Sequence, residues 1–193
     1  MSRSLTTSSQ MPSRHKVPGG TYFFTLRLRD PHATLLVDHV DILRSAVSLA
    51  RKRWAFEIDT AMILPNRMHM IWHLPDQDAD YAKRWRLIKS AFSRNLPDSV
   101  TPQSEGRANA IWQRRFWEHL IQDEGDLALH RHLAITAPIS AGLAKRAGDW
   151  PFSSLYRRNR SQSAQRAARS DRDHLKPGFR PVSEVILDTA DLH

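Results

Sequence analysis

The stretch LPNRMHMIWHLP, residues 64–75, sets a short apolar segment between two prolines. Read as a strand, it places Arg67, His69, Ile71 and His73 on one face and Met68, Met70 and Trp72 on the other, because successive side chains alternate. Two ligands two residues apart on such a strand share a face and could hold one metal ion. Here that pair would be Arg67 and His69, and a guanidinium, which carries only donors, does not bind a cation.

Just before it, AFEIDTAMILP (residues 55–65) alternates as a further strand, and the Pro65-Asn66 pair between the two suits a tight hairpin. Upstream, GTYFFTLRLRD (residues 20–30) follows a Pro-Gly-Gly turn signal. It ends with Leu26 and Leu28 on one face and Arg27 and Arg29 on the other, the pattern of a strand with one buried face. Residues 38–54 carry Val40, Leu43, Val47 and Ala50 at helical spacing, with Asp38 as the expected N-cap and a basic last turn. Residues 78–96 predict a second helix with Tyr81, Trp85, Ile88 and Phe92 as its apolar stripe.

Residues 97–109 read as a loop. In residues 110–122 a strand is expected in the second half, from about Phe116 to Ile121. Residues 123–143 open with acidic residues, as a helix N-terminus prefers. Gly142 suits the C-cap, and Pro138 is expected to end or kink the helix before it. Residues 148–158 add a short helix.

The order strand, helix, strand, strand, helix, strand is the ferredoxin-like split βαβ plan, an α+β class. It predicts an antiparallel sheet with helices packed on one face and the other face free for a ligand, plus a C-terminal helix. The expected organisation is a flexible leader (1–17), one domain (18–160) and a basic, mobile tail (161–193).

With 193 residues and 40% hydrophobic content, the chain can bury a core of ordinary size. It has no cysteine, which excludes disulfides, thiolate metal sites and a cysteine nucleophile. No apolar run is long enough to span a bilayer, and the first 20 residues lack a secretory signal, so a cytoplasmic location and no membrane partner are expected. The 29 Lys+Arg against 20 Asp+Glu give a net charge of +9, which favours a polyanionic partner, nucleic acid first.

Five stretches carry a resemblance: VPGGTYFFTLRLRD, LPNRMHMIWHLP, AKRWRLIKSAFSR, IWQRRFWEHLI and GDWPFSSLYRR. In order and spacing they resemble the REP-associated tyrosine transposases, a branch of the HUH single-tyrosine transposases, over roughly residues 14–158. The resemblance implies the same ferredoxin-like fold. It also implies two histidines one residue apart holding a divalent ion, Mg or Mn. A helix tyrosine would attack a DNA phosphate to leave a phosphotyrosine link, and an asparagine four residues later would complete the metal site.

This chain departs from that pattern. His69 matches one metal ligand, but Arg67 stands at the other histidine position. The family's tyrosine helix aligns with HLAITAPISAGL (residues 132–143), which puts Leu133 at the tyrosine position and Ala137 at the asparagine position. The remaining tyrosines, Tyr22, Tyr81 and Tyr156, are poor substitutes, and no intact catalytic residue and no cofactor are expected. His73 shares a face with His69 but lies about 13 Å along the strand. His130 and His132 on the later helix could approach His69; otherwise they are surface or hydrogen-bonded histidines.

The resemblance implies a DNA hairpin with a single-stranded 5′ foot as partner. Phosphate contacts are expected from Arg67, Lys83, Arg84, Arg86, Lys89, Arg114, Arg115, Arg157 and Arg158, with further arginines in the tail. Trp85, Trp112, Phe116 and Trp117 lie among the cations, either as core residues or as platforms for unpaired bases. The leading expectation is hairpin binding without strand cleavage. The alternatives are an active metal-dependent nicking and joining enzyme with substitute residues, and a structural or partner-binding remnant.

Overall fold

The computed structural model describes residues 16–100 and 110–156, with Arg160 and Ser163. The leader before residue 16, the loop 101–109, Arg157, Arg158 and nearly all of the tail lie outside the described residues. One compact unit, ending at Arg157, holds the sheet and the helices packed on it.

Four strands, β1 (Thr21–Arg27), β2 (Glu57–Ile63), β3 (Arg67–His73) and β4 (Trp117–Leu120), form one sheet in the order β2-β3-β1-β4. Every pairing is antiparallel. Among the described residues the bounded α-helices are α1 (Leu35–Asp38), α2 (Val40–Arg53), α3 (Tyr81–Asn95) and α4 (Glu124–Ser140). The order and the central position of β1 and β3 are those of the split βαβ plan. Pro65 and Asn66 make the hairpin turn, closed by the Leu64 amide donating to the Arg67 carbonyl at 2.8 Å.

The alternation of β3 sorts the core. Met68, Met70 and Trp72 point to the face where Tyr22, Phe24 and Leu26 of β1 also point, and all six are buried. Leu43, Ala46 and Ala50 of α2 and the Tyr81, Trp85, Ile88 and Phe92 stripe of α3 close over them. The contact is largely aromatic: Trp72 stacks on Trp85 at 4.0 Å between ring centroids, with Phe24 5.0 Å from Trp72. Burying each large side chain here contributes about 1.5–3 kcal/mol.

Several local expectations are corrected. Asp38 does not cap α2: it ends α1, and its carboxylate accepts from the Thr34 hydroxyl at 2.6 Å, so His39 precedes the helix without a side-chain cap. Pro138 does not end α4. It sits in the last turn, the helix runs on to Ser140, and the chain turns away two residues later at Gly142 with φ 69°. There the Leu143 amide reaches the Pro138 carbonyl at 2.8 Å and the Gly142 amide reaches Ile139 at 2.9 Å, a Schellman closure.

The second sheet face is not wholly free either. Leu127, Ala134 and Ala137 of α4 pack there against Phe23, Met62, Leu64 and Ile71. A bulge between Ile58 and Thr60 breaks the alternation of β2, and Asp59 beside it takes both arms of Arg131 from α4, at 2.9 and 2.5 Å. Those bonds hold the Asp59 carboxyl below the usual range against the opposing effect of burial.

Arg84 is also removed from the DNA-contact set. It is 1% exposed, on the flank of the apolar stripe of α3. Its guanidinium donates to the carbonyls of Asp80 at 3.0 Å and Ala55 at 2.6 Å and pairs with Asp78 at 3.0 Å. Burial would raise the Asp78 pKa, but Arg84, the Asp80 amide and Lys83 outweigh it and hold the carboxyl far below its ordinary value.

Arg84→Ala should therefore lower the unfolding free energy by about 3 kcal/mol, since it empties a buried site beside the α3 stripe and removes the donor to the Ala55 carbonyl and one of the two cations on Asp78, while Arg86→Ala on the exposed side should stay within about 0.5 kcal/mol. Chemical denaturation of both variants checks this. A carboxyl depressed in the folded state stabilises above its unfolded pKa, about 3.9, and that stability is lost as pH falls through the folded value. Stability should thus fall in acid from about pH 4 downward, and Asp59→Asn should make the fall shallower in thermal melts across that range.

Candidate nucleic-acid interface

The part of the second face that α4 leaves open is built by β1, β3 and β4. In the β1–β3 register Arg27 lies opposite Arg67 and Thr25 opposite His69, so the two guanidiniums share one end of the strand pair with the imidazole one step inside. Arg27 is exposed and Arg67 and His69 are half-buried. The Thr25 hydroxyl bonds His69 Nδ1 at 2.9 Å, and Phe23 stacks on the imidazole at 5.7 Å. Burial first, then Arg67 and Arg27, pushes the His69 pKa down to about 4. His69 is therefore neutral at neutral pH, beside two fixed positive charges.

The ion implied by the family does not fit here. Arg67 offers no lone pair and repels a cation. Ala137, buried against the sheet, offers no donor atom, and Leu133, one turn earlier, is 49% exposed with no nucleophile. One imidazole is a poor holder of magnesium, which prefers oxygen ligands. His73 is occupied elsewhere, bonding the Thr21 hydroxyl at 2.6 Å. His130 does not join His69: its ring lies 4.9 Å from Phe23, on whose ring His69 also stacks, and His132 is exposed on α4. Tyr22 and Tyr81 are buried on the opposite, helix-covered face, and Tyr156 follows Ser153, which bridges to Met62 of β2.

The other cations divide by layer. Lys83 bonds Asp78 at 3.0 Å, Lys89 donates to the Gln113 carbonyl at 2.8 Å, and Arg86 is exposed; all three are on α3, behind the sheet from His69. Arg114 and Arg115 are exposed in the loop before β4, and Arg115 lines an open cleft of about 430 Å³ with Thr25, Arg27, Gln113, Phe116 and Trp117. Among the four aromatics, Trp85 and Trp112 are core residues at 1% exposure, Phe116 packs against the core, and Trp117 stands 52% exposed in the cleft wall.

The structure also assembles a group that sequence reading missed. His119 of β4 and Asp126 and His130 of α4 place ligand-type atoms within 4.8 Å of one another. His119 Nε2 lies 2.8 Å from one Asp126 oxygen and His130 Nδ1 2.9 Å from the other. The Asp-x3-His spacing on one helix face was legible; the part played by His119 depends on where β4 sits.

No family model matches the chain. A REP-associated tyrosine transposase of Escherichia coli is 38% identical over 144 residues, covering 75% of this chain and 81% of that protein. A protein of Haemophilus influenzae carrying the same family name is 38% identical over 143 residues, 72% of this chain and 81% of its own length. A solved REP-associated tyrosine transposase, bound to a REP hairpin, superposes with a TM-score of 0.67 at 37% identity, covering 75% of this chain and 82% of that one. With four antiparallel strands in the same plan and this identity over most of its length, the chain belongs to the REP-associated tyrosine transposases.

Proposed function

We propose that the chain binds hairpin DNA of the REP type across the open part of the second sheet face and does not cleave it through a phosphotyrosine. The observation that carries this reading is the Arg27–Arg67 pair beside a neutral His69, at the strand position where the family would hold its ion. Two guanidiniums can bind a phosphate directly and bidentately, so the anion keeps a partner where the cation has none. The solved relative, bound to a REP hairpin, supports the choice of partner. Trp117, exposed beside Arg27 and Arg115, is the platform for an unpaired base of the foot.

The side chains on the face opposite His69 are committed to the core, so Lys83, Arg86 and Lys89 would serve only DNA that wraps around the domain. Arg114 and Arg115 stand nearer the proposed track. Cleavage needs a nucleophile and a Lewis acid, and Leu133 with Ala137 and Arg67 supplies neither at the family positions.

Binding to a labelled hairpin with a single-stranded foot should be strongly salt-dependent: about four phosphate contacts, from Arg27, Arg67, Arg114 and Arg115, lower affinity on the order of a hundredfold between 50 and 200 mM salt. Arg67→Ala and Arg27→Ala should each weaken binding roughly tenfold or more and reduce the salt slope by about 1. Trp117→Ala should cost about 1–3 kcal/mol on the footed hairpin and little on a blunt one. Flat affinity across salt, or arginine variants that bind normally, would reject this interface.

The same hairpin, incubated with magnesium or manganese, should give no covalent protein–DNA adduct on a denaturing gel. Leu133→Tyr alone should also give none. The triple change Arg67→His, Leu133→Tyr, Ala137→Asn should restore a metal-dependent adduct, and an adduct formed by the unmodified chain would refute the non-cleaving reading.

A further inference from the structure

We propose that His119, Asp126 and His130 form a binding site for a borderline first-row dication of the zinc, cobalt or nickel class, separate from the family's ion position. This does not rest on the DNA reading. Its residues belong to two elements that the sheet brings together. His119 projects from β4, whose register sets it opposite Phe23 of β1. Asp126 lies in the first turn of α4, fixed by its amide donating to the Asp123 cap at 2.8 Å, and His130 follows one turn later on the same face.

The geometry is close to a ligand shell. His119 Nε2 lies 2.8 Å from one Asp126 carboxylate oxygen, His130 Nδ1 lies 2.9 Å from the other and 2.9 Å from the Asp126 backbone carbonyl it also bonds, and the three ligand atoms fall within 4.8 Å. Around a tetrahedral ion with bonds of about 2.0–2.1 Å, ligand atoms stand roughly 3.4 Å apart. The ion would thus enter between the three groups, the two short nitrogen–oxygen contacts opening by about 0.5 Å and the widest separation closing by on the order of 1 Å. A ring that ligates must present a nitrogen free of hydrogen, which the neutral form of imidazole always has.

The rings are already held. His119 and His130 lie nearly parallel at 17° and 4.4 Å. Trp117 stacks on His119 at 5.8 Å, and Phe23 lies 4.9 Å from His130. The Gln122 amide donates to Asp126 Oδ2 at 2.9 Å and steadies the carboxylate. Burial is graded: His130 is 8% exposed in its side chain, Asp126 16% and His119 33%. One side of the shell is therefore open, and a fourth position would go to water or an anionic oxygen. Two imidazoles and one carboxylate suit zinc, cobalt or nickel and not magnesium or calcium, which ask for oxygen shells.

The competing reading is a hydrogen-bonded His-Asp-His array that ties β4 to α4 and never meets an ion. Cobalt(II) alone, titrated into the metal-stripped full chain, separates the two. The expected result is a saturable one-to-one visible spectrum of a low-coordinate cobalt site, displaced by zinc, with a rise in thermal transition. His119→Ala and Asp126→Asn should each weaken cobalt binding at least about tenfold, as loss of a ligand must. His132→Ala, exposed on the same helix, should bind as the parent does. No saturable binding by the folded chain overturns the site, and so does binding that survives His119→Ala. Equal loss in His132→Ala overturns the ligand set. If Asp126→Asn fails to fold by circular dichroism, the half-exposed His119→Ala decides the matter alone.

Discussion

The antiparallel pairing of β1 with β3 is the constraint on which the molecule depends. Its register, Thr21 with His73 through Arg27 with Arg67, fixes which side chains meet on each face. A slip of one residue would turn Trp72, Met70 and Met68 out of the core and bring Arg67 and His69 into it. The aromatic contact of Trp72 with Trp85 and Phe24 makes such a slip prohibitive. Because one face is locked by packing, the other face inherits a fixed order of polar groups, and the interface is a by-product of the core.

That order sets the electrostatics. Arg27 and Arg67 meet because they are register partners, and His69 is neutral because it is buried beside them. On the same face, beyond the ring of Phe23, the balance is opposite. Asp126 carries the charge there, held below the usual carboxylate range first by the hydrogen bond from His119 against the pull of burial. The two neighbourhoods share a sheet face yet would attract ligands of opposite sign, an anion at the arginines and a cation at the carboxylate.

The periodicities carried most of this architecture. The strand alternation of residues 67–73, the stripe at Tyr81, Trp85, Ile88 and Phe92, and the Gly142 stop were all legible, because each reports local geometry directly. Arg84 misled because a charge on a helix reads as solvated by default. Its place three residues after Tyr81 and four before Ile88 put it against the stripe, and acceptors from Asp78, Asp80 and Ala55 made burial tolerable. Trp117 could not be told from Trp112 in sequence, since a four-residue strand is too short for alternation to name its inward face. The Asp59–Arg131 pair that joins β2 to α4 lies beside a bulge, a backbone irregularity with no residue signature.

On the proposed reading, replacing a histidine by Arg67 does more than delete a ligand. A divalent ion and a pair of guanidiniums bring the same formal charge of +2 to a phosphate, so much of the electrostatic attraction for DNA can survive the exchange. What cannot survive is the reaction. An ion polarises the scissile phosphate by direct coordination and stabilises the charge that develops on it, whereas arginines bind the ground-state phosphate as well and leave the attack without a nucleophile once Leu133 occupies the helix. Binding and chemistry thus separate along a physical line: charge placed by strand register is retained, while donor atoms that had to converge from β3 and α4 are not. The His-Asp-His group escapes that loss because its ligands come from β4 and the first turns of α4, upstream of Leu133 and Ala137.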